Sequence, residues 1–127
     1  MDKLIKILIA DDEPEVLNLI EDCLLDEFKG AKTTKAKDGL EAYHYAMTME
    51  YDLIISDHKM PFCTGLDFVT KIKSTTNTNS ETPVIFVSGY IPEIEEGLSV
   101  SEGILYIDKP FTNERLTKFC KMLLNKK

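Results

Sequence analysis

The stretch "LIKILIADDEP" (residues 4–14) joins an apolar run to three acidic residues and a proline. A short run that is apolar on both faces predicts a strand of a parallel sheet covered by helices on both sides. Pro14 fits the first turn of a following helix, where its missing N–H costs nothing. Asp11, Asp12 and Glu13 therefore lie where a strand meets a helix, and carboxylates crowded there repel one another unless something neutralises them.

The rest of the chain alternates between short apolar runs, which are typical of strands, and apolar residues spaced three and four apart, which are typical of helices. Further strands are predicted at 52–56 and 83–88, with less apolar edge strands at 31–36 and 103–109. Apolar residues three and four apart predict helices over 14–28, from just after Asp38, over 65–73, and over 112–125 with Thr112 as N-cap. On the second helix, the face predicted to be apolar carries Ala42, Tyr43, Ala46 and Met47.

The segment 91–102 is a weak helix candidate, because Gly97 and its serines are poor helix formers. With that segment counted as a helix, strands and helices alternate five times along the chain. Right-handed crossovers between such strands give an α/β fold with a doubly wound parallel sheet.

Length and charge limit the classes of function. The chain has 127 residues, enough for one domain with a core, and its formal net charge of −7 argues against a nucleic-acid-binding module. No apolar run approaches the roughly 18 residues of a membrane span, and the amino terminus lacks the features of a signal peptide. We therefore expect a cytoplasmic protein with no direct membrane or nucleic-acid partner.

The ends of the predicted strands carry the residues whose side chains can bind a ligand or take part in a reaction. In doubly wound sheets, ligands bind beyond the carboxyl ends of the strands. Asp11 and Asp12 follow the first strand, Asp57 the third, and the remaining two ends carry Ser88 and Lys109. Converging carboxylates suit a hard cation such as Mg²⁺. Carboxylates, a lysine and a hydroxyl make a phosphoryl-transfer site, in which a carboxylate can act as the nucleophile.

Four motifs in order make the sequence similar to the receiver domain of two-component response regulators. They are "ILIADDEP", "DLIISDHKMP" with Gly65 four residues after Pro61, "PVIFVSG" and "YIDKPF". The resemblance covers essentially the whole chain and implies a single receiver domain over 1–127. The implied fold is flavodoxin-like, (βα)5, with five parallel strands in the order 2-1-3-4-5.

The resemblance also implies roles at the site. Asp57 is the phosphoacceptor, and Lys109 pairs first with Asp57 and then with the phosphoryl group. The implied cofactor is Mg²⁺, bound by Asp57, directly by Asp12, through water by Asp11, and by the backbone carbonyl of Lys59.

Two further residues receive switch roles by the same resemblance. Ser88 bonds the phosphoryl group, and Tyr106 turns inward on activation, so that the face formed by 91–102, the fifth strand and the last helix changes shape. The Lys109–Pro110 bond is expected to be cis.

The implied partners are a histidine kinase or histidine phosphotransfer protein, and a downstream protein or output domain that the sequence leaves unidentified. Such a domain is a signalling module, not a conventional enzyme, although it catalyses its own phosphorylation and dephosphorylation. Both a monomer and a phosphorylation-dependent dimer remain open, as does the lifetime of the phosphate, because Lys59 and Tyr90 flank the path of the hydrolytic water in this family.

Three alternative functions share parts of this pattern. A flavodoxin-like electron carrier needs a Ser/Thr-rich loop after the first strand, where "ADDEPE" would repel the flavin phosphate. A haloacid-dehalogenase-like phosphatase needs two aspartates one residue apart, whereas Asp11 and Asp12 are adjacent. The stronger alternative is a receiver-like binding module that acts independently of phosphorylation.

Overall fold

The computed structural model describes residues 4–89 and 103–124. Its elements follow the predicted order, and their bounds fall within one or two residues of the predicted ones. They are β1 (Lys6–Ala10), α1 (Pro14–Glu27), β2 (Lys32–Ala36), α2 (Gly39–Thr48), β3 (Leu53–Ser56), α3 (Gly65–Ser74), β4 (Val84–Ser88), β5 (Ile104–Asp108) and α4 (Asn113–Leu124). The segment 91–102, predicted as a weak helix, lies outside the described residues.

The five strands form one parallel sheet in the order β2-β1-β3-β4-β5. The predicted α/β fold and its strand order are therefore confirmed. Strands β1, β3 and β4 lie in the interior of the sheet, which explains their nearly continuous apolar sequences. Strand β2 is an edge strand, and its exposed Lys32 and Lys35 protect that edge from pairing with another chain.

Two hydrophobic cores lie on opposite faces of the sheet. Alternate residues of each strand face opposite sides, so Ile7 and Ile9 pack with α1 and α4, whereas Leu8 and Ala10 pack with α2 and α3. The residues that follow the carboxyl ends of β1, β3, β4 and β5 line a surface pocket, so this end of the sheet is open for a site.

Local signals define where the helices begin. Pro14 occupies the first turn of α1. The side chains of Asp38 and Thr64 cap α2 and α3, accepting hydrogen bonds from backbone N–H groups at 2.7 and 3.1 Å. The predicted N-cap Thr112 is confirmed by its hydrogen bond from the Arg115 N–H at 3.1 Å.

One prediction about α2 is wrong. Met47 was expected on the buried face with Ala42 and Ala46, but it is 42% exposed, whereas both alanines are fully buried. Successive residues of a helix are about 100° apart, so Met47 is turned away from the line of the two alanines towards solvent. Tyr43, also predicted on that face, is half-buried at the margin of the core.

Among the described residues, no helix is long and apolar enough to cross a membrane.

Candidate phosphoryl-transfer site

Three aspartates meet where the central strands end. Ala10 pairs with Ser56 across β1 and β3, so the residues that follow them, Asp11 and Asp57, emerge side by side. The Asp57 N–H donates to the Ala10 carbonyl at 2.8 Å, which continues the strand pairing by one residue. Carboxylate oxygens of Asp11, Asp12 and Asp57 lie within 4.8 Å of one another.

The two aspartates after β1 have different environments. Asp12 is exposed, whereas Asp11 is 1% exposed. Asp11 Oδ1 accepts a hydrogen bond from the Glu13 N–H at 2.9 Å, and Oδ2 accepts one from Lys109 Nζ at 2.9 Å. Burial is the largest influence on the Asp11 carboxyl and raises its pKa, although both hydrogen bonds act in the opposite direction.

Lys109 is the cation that faces this cluster. Its ammonium lies 2.9 Å from Asp11 Oδ2, 3.3 Å from Asp57 Oδ2 and 3.8 Å from Glu13 Oε1. Burial alone would lower the pKa of Lys109, but the hydrogen bonds and charges of Asp11 and Asp57 outweigh it and raise that pKa. The side chain therefore remains an ammonium at neutral pH and offsets part of the carboxylate repulsion.

The residues on either side of Asp57 hold it in place through hydrogen bonds. Asp57 Oδ1 accepts the His58 N–H at 2.8 Å, and the Asp57 carbonyl accepts the Ser56 hydroxyl at 2.7 Å. That carbonyl also passes so close to Gly65 that a Cβ there would stand 1.9 Å from its oxygen. The loop is thus packed tightly against α3. Asp57 nevertheless lines a surface pocket at the carboxyl ends of the strands.

The two predicted switch residues lie on the neighbouring strands, Ser88 at the end of β4 and Tyr106 within β5. Phe86 pairs with Ser56, so Ser88 is two residues further towards the open edge, and its side chain is fully buried. The Lys109 N–H donates to the Ser88 carbonyl at 3.3 Å. The Tyr106 ring stacks on Phe86 with centroids 5.9 Å apart.

A shallow polar pocket of about 470 Å³ opens above these side chains. It is lined by Asp12, Glu13, Asp57, Lys59, Gly89 and Lys109. It is large enough for a phosphoryl group and a hydrated cation, and the three carboxylates are the oxygen ligands that Mg²⁺ prefers. The Lys109–Pro110 bond beside it is cis, as the resemblance implied.

Sequence reasoning identified most of these residues but not two of their contacts. The Glu13 carboxylate also faces the Lys109 ammonium across 3.8 Å. The buried ring of His58 accepts the Leu66 N–H in the first turn of α3. Neither contact follows a sequence period, so no pattern in the chain could have revealed it.

Residues 7–121 match the profile of the response regulator receiver domain. The chain belongs to this family. The receiver domain is 32% identical over 123 residues to the transcriptional regulatory protein CusR of Escherichia coli K12, covering 95% of this chain and 52% of that protein. It is 37% identical over 106 residues to the response regulator GtcR of Aneurinibacillus migulanus, covering 83% and 41%. The chain thus spans about half the length of these relatives.

Solved receiver structures resemble this receiver domain along nearly its whole length. The chemotaxis response regulator CheY4 of Vibrio cholerae superposes with a TM-score of 0.84 at 28% identity, covering 96% of this chain and 100% of that one. The receiver domain of the sensor histidine kinase PA1611 of Pseudomonas aeruginosa PAO1 reaches 0.82 at 23% identity, covering 97% and 99%. The second likeness concerns the fold alone.

Proposed function

We propose that this receiver domain accepts a phosphoryl group on Asp57 from a histidine kinase or histidine phosphotransfer protein, and that the transfer requires Mg²⁺. One observation carries the proposal. The Lys109 ammonium lies 2.9 Å from Asp11 and 3.3 Å from Asp57, at a pocket edge where three carboxylates converge. A charge arrangement of this kind is suited to phosphoryl transfer, in which catalysis is mainly positioning and electrostatic stabilisation.

The aspartates supply the donor set for the cation. Asp11 already accepts hydrogen bonds on both of its oxygens, whereas Asp12 is exposed at the pocket. This difference supports direct metal contact by Asp12 and contact through water by Asp11, with Asp57 and the Lys59 carbonyl as further ligands. When bound, Mg²⁺ would neutralise the phosphoryl oxygens and orient the donor. PA1611 has a magnesium ion coordinated in its active site cleft.

In the proposed reaction, Asp57 is the nucleophile and Lys109 pairs with the negative charge. An oxygen of the Asp57 carboxylate attacks the phosphorus of a phosphohistidine, forming a P–O bond as the P–N bond breaks. The leaving imidazole keeps the bonding electrons and takes up a proton, and Asp57 becomes an acyl phosphate. Lys109 Nζ, already beside Asp57, stays paired with the added negative charge. Hydrolysis of the acyl phosphate returns the carboxylate and ends the signal, and we propose that the domain acts as a signalling module rather than as a conventional enzyme.

Ser88 and Tyr106 are the proposed route by which the signal leaves the site. Ser88 is buried at the end of β4, and its hydroxyl would bond a phosphoryl oxygen. Tyr106 stacks on Phe86, two residues before Ser88, so movement at Ser88 is close enough to alter that packing. The face that changes would include β5 and α4, and the segment 91–102, also expected to take part, lies outside the described residues.

The partners follow from the family and from charge. Receiver domains act between histidine kinases and output domains or proteins, and we propose partners of both kinds for this chain. We also propose that residues 1–127 form one receiver domain and that it works in the cytoplasm. Relatives such as CusR are transcriptional regulators. The net charge of this chain, −7, disfavours direct contact with nucleic acid. We expect its own output contact to be with protein, as a monomer or as a phosphorylation-dependent dimer.

Intact-mass measurement tests the assignment. Incubation with acetyl phosphate and Mg²⁺ should add the mass of one phosphoryl group to the wild type. Asp57→Asn should add none, because an amide is not nucleophilic. Asp22→Asn, which removes an exposed carboxylate on α1, is the control and should be labelled as the wild type is.

Two results would contradict the proposal. Labelling of Asp57→Asn at the wild-type level would mean that another residue accepts the group. An unlabelled wild type, with Mg²⁺ present, would favour the binding module that acts without phosphorylation.

A further inference from the structure

The first backbone N–H groups of α3 donate two hydrogen bonds to one residue that lies outside the helix. The first backbone N–H groups of a helix have no partner within it. In α3, the Gly65 N–H donates to the His58 carbonyl at 2.7 Å, and the Leu66 N–H donates to His58 Nδ1 at 3.4 Å. The Thr64 hydroxyl accepts the next one, from Asp67, at 3.1 Å. His58 therefore caps two consecutive N–H groups of α3.

The same residue also contacts the proposed phosphoacceptor. The His58 N–H donates to Asp57 Oδ1 at 2.8 Å. The ring is buried, with 5% of the residue exposed, and its Nδ1 accepts the hydrogen bond from the Leu66 N–H. Residue 58 is consequently bonded to α3 through its carbonyl and its ring, and to the Asp57 carboxylate through its backbone N–H.

We propose that His58 is a positioning residue for Asp57, a role that rests on the proposed phosphoacceptor function. Its ring fixes the loop to the amino end of α3, and its backbone N–H fixes which way Asp57 Oδ1 points. The other carboxylate oxygen, Oδ2, then faces Lys109 at 3.3 Å. Without the ring acceptor, residue 58 keeps the bond from the Gly65 N–H to its carbonyl but loses the bond from the Leu66 N–H, so the direction of its own N–H, and with it that of the carboxylate, is held less firmly.

The position of the acceptor atom gives a test. In His58→Asn, the amide oxygen lies at about the same place as Nδ1, so it can still accept from the Leu66 N–H. His58→Leu fills a similar volume without an acceptor, and His58→Gln carries its amide one bond further out. His44→Leu removes a histidine from the exposed surface of α2 and serves as the control.

The readouts are the initial rate of phosphorylation by acetyl phosphate at saturating Mg²⁺ and the Mg²⁺ concentration that gives half of that rate. Both are measured well below the melting temperature of each variant, so that a loss of stability alone leaves them unchanged. We expect His58→Leu to lower the rate about tenfold, as loss of a residue that orients a metal-site ligand commonly does. His58→Asn and His44→Leu should stay within about twofold of the wild type.

Each outcome supports or overturns the inference. A His58→Leu rate equal to that of the wild type overturns it, as does an Asn variant that is as slow as the Leu variant. If the Leu variant does not fold, the comparison of Asn with Gln decides, because only Asn places the acceptor correctly. A wild type that is not labelled overturns the phosphoacceptor function together with this inference, whereas a labelled wild type with unaffected variants overturns this inference alone.

Discussion

At the residue scale, Gly65 shows how the absence of a side chain fixes the position of the proposed phosphoacceptor. A Cβ at residue 65 would stand 1.9 Å from the Asp57 carbonyl oxygen and 3.0 Å from the His58 Cα. Backbone atoms cannot move aside as the tip of a flexible side chain can. Any larger residue at this position must therefore displace the loop that carries Asp57.

We expect Gly65→Ala to lower the free energy of unfolding by about 3 kcal/mol, at the upper end of the cost of overpacking. It should also slow the labelling of Asp57, because the displaced loop carries the carboxylate. Urea denaturation and intact mass measure the two effects. Gly89→Ala is the matched control for stability, since a Cβ at residue 89 meets no described atom within 4 Å. It is not a control for labelling, because Gly89 lines the pocket of the proposed site. Equal stability of the two variants would show that the loop is not packed as described.

At the element scale, Asn79 ties the carboxyl end of α2 to the start of β3. Its amide donates to the carbonyls of Ala46 and Met49, and its side-chain oxygen accepts from the Tyr51 N–H at 2.9 Å and the Thr82 hydroxyl at 3.0 Å. The side chain is fully buried. The residue lies near the amino ends of the strands, at the opposite edge of the sheet from the aspartates.

Asn79→Ala leaves several buried polar groups without their partner. We expect the free energy of unfolding to fall by about 3 kcal/mol, since each unsatisfied buried group costs roughly 1–3 kcal/mol. The rate of phosphorylation of the folded protein should not change, because the site is at the other edge. Thr78→Ala, an exposed change in the same loop, should leave both quantities unaltered. A slower phosphorylation rate in folded Asn79→Ala would contradict this separation.

A second link between elements depends on pH. The Glu21 carboxylate on α1 accepts from the Thr33 hydroxyl on β2 and pairs with Lys35 Nζ at 3.0 Å. The hydrogen bond from Thr33 is the largest influence and lowers the pKa of Glu21 below its ordinary 4.5. A depressed pKa in the folded state stabilises the fold above the pKa of the unfolded chain, and this stabilisation is lost as the pH falls through the folded value.

Glu21→Gln should therefore be less stable than the wild type at neutral pH, by about 1 kcal/mol, the size of a single hydrogen-bond contribution. The difference should shrink as the pH is lowered from 4.5, the ordinary pKa of the unfolded chain, through the lower pKa of the folded state. Urea denaturation at a series of pH values measures it. A difference that is the same at every pH would mean that the carboxylate charge plays no part.

At the scale of the whole molecule, the fold accumulates negative charge at one edge of the sheet. Asp11, Asp12 and Asp57 converge there in a chain whose net charge is already −7. A cation that binds only this assembled cluster stabilises the folded state by mass action, because the unfolded chain has no such cluster.

At free Mg²⁺ ten times its Kd, we expect about 1.4 kcal/mol of stabilisation and a rise in Tm of about 5 °C. NaCl at equal ionic strength corrects for general screening of the charge. Asp12→Ala should abolish the shift, whereas Asp22→Ala, which removes one exposed carboxylate elsewhere on the chain, should keep it. A wild-type Tm that Mg²⁺ leaves unmoved would rule out the metal site.

The sequence by itself determined the alternation of strands and helices, the parallel sheet and the residues at its strand ends. Apolar periodicity, Pro14 and the N-caps are local signals, and each acts over a few residues. The convergence of the strand-end aspartates was also predictable, because the carboxyl ends of parallel strands meet at one edge.

Only the tertiary structure decided how these side chains share the site. Asp11 is buried against Lys109, 98 positions away along the chain, whereas its neighbour Asp12 is exposed. The cap that His58 provides for α3 and the exposure of Met47 likewise escaped prediction. Periodicity shows which face of an element is apolar, but these features depend on side-chain reach and on how neighbouring elements pack, and both are fixed only when distant parts of the chain come together.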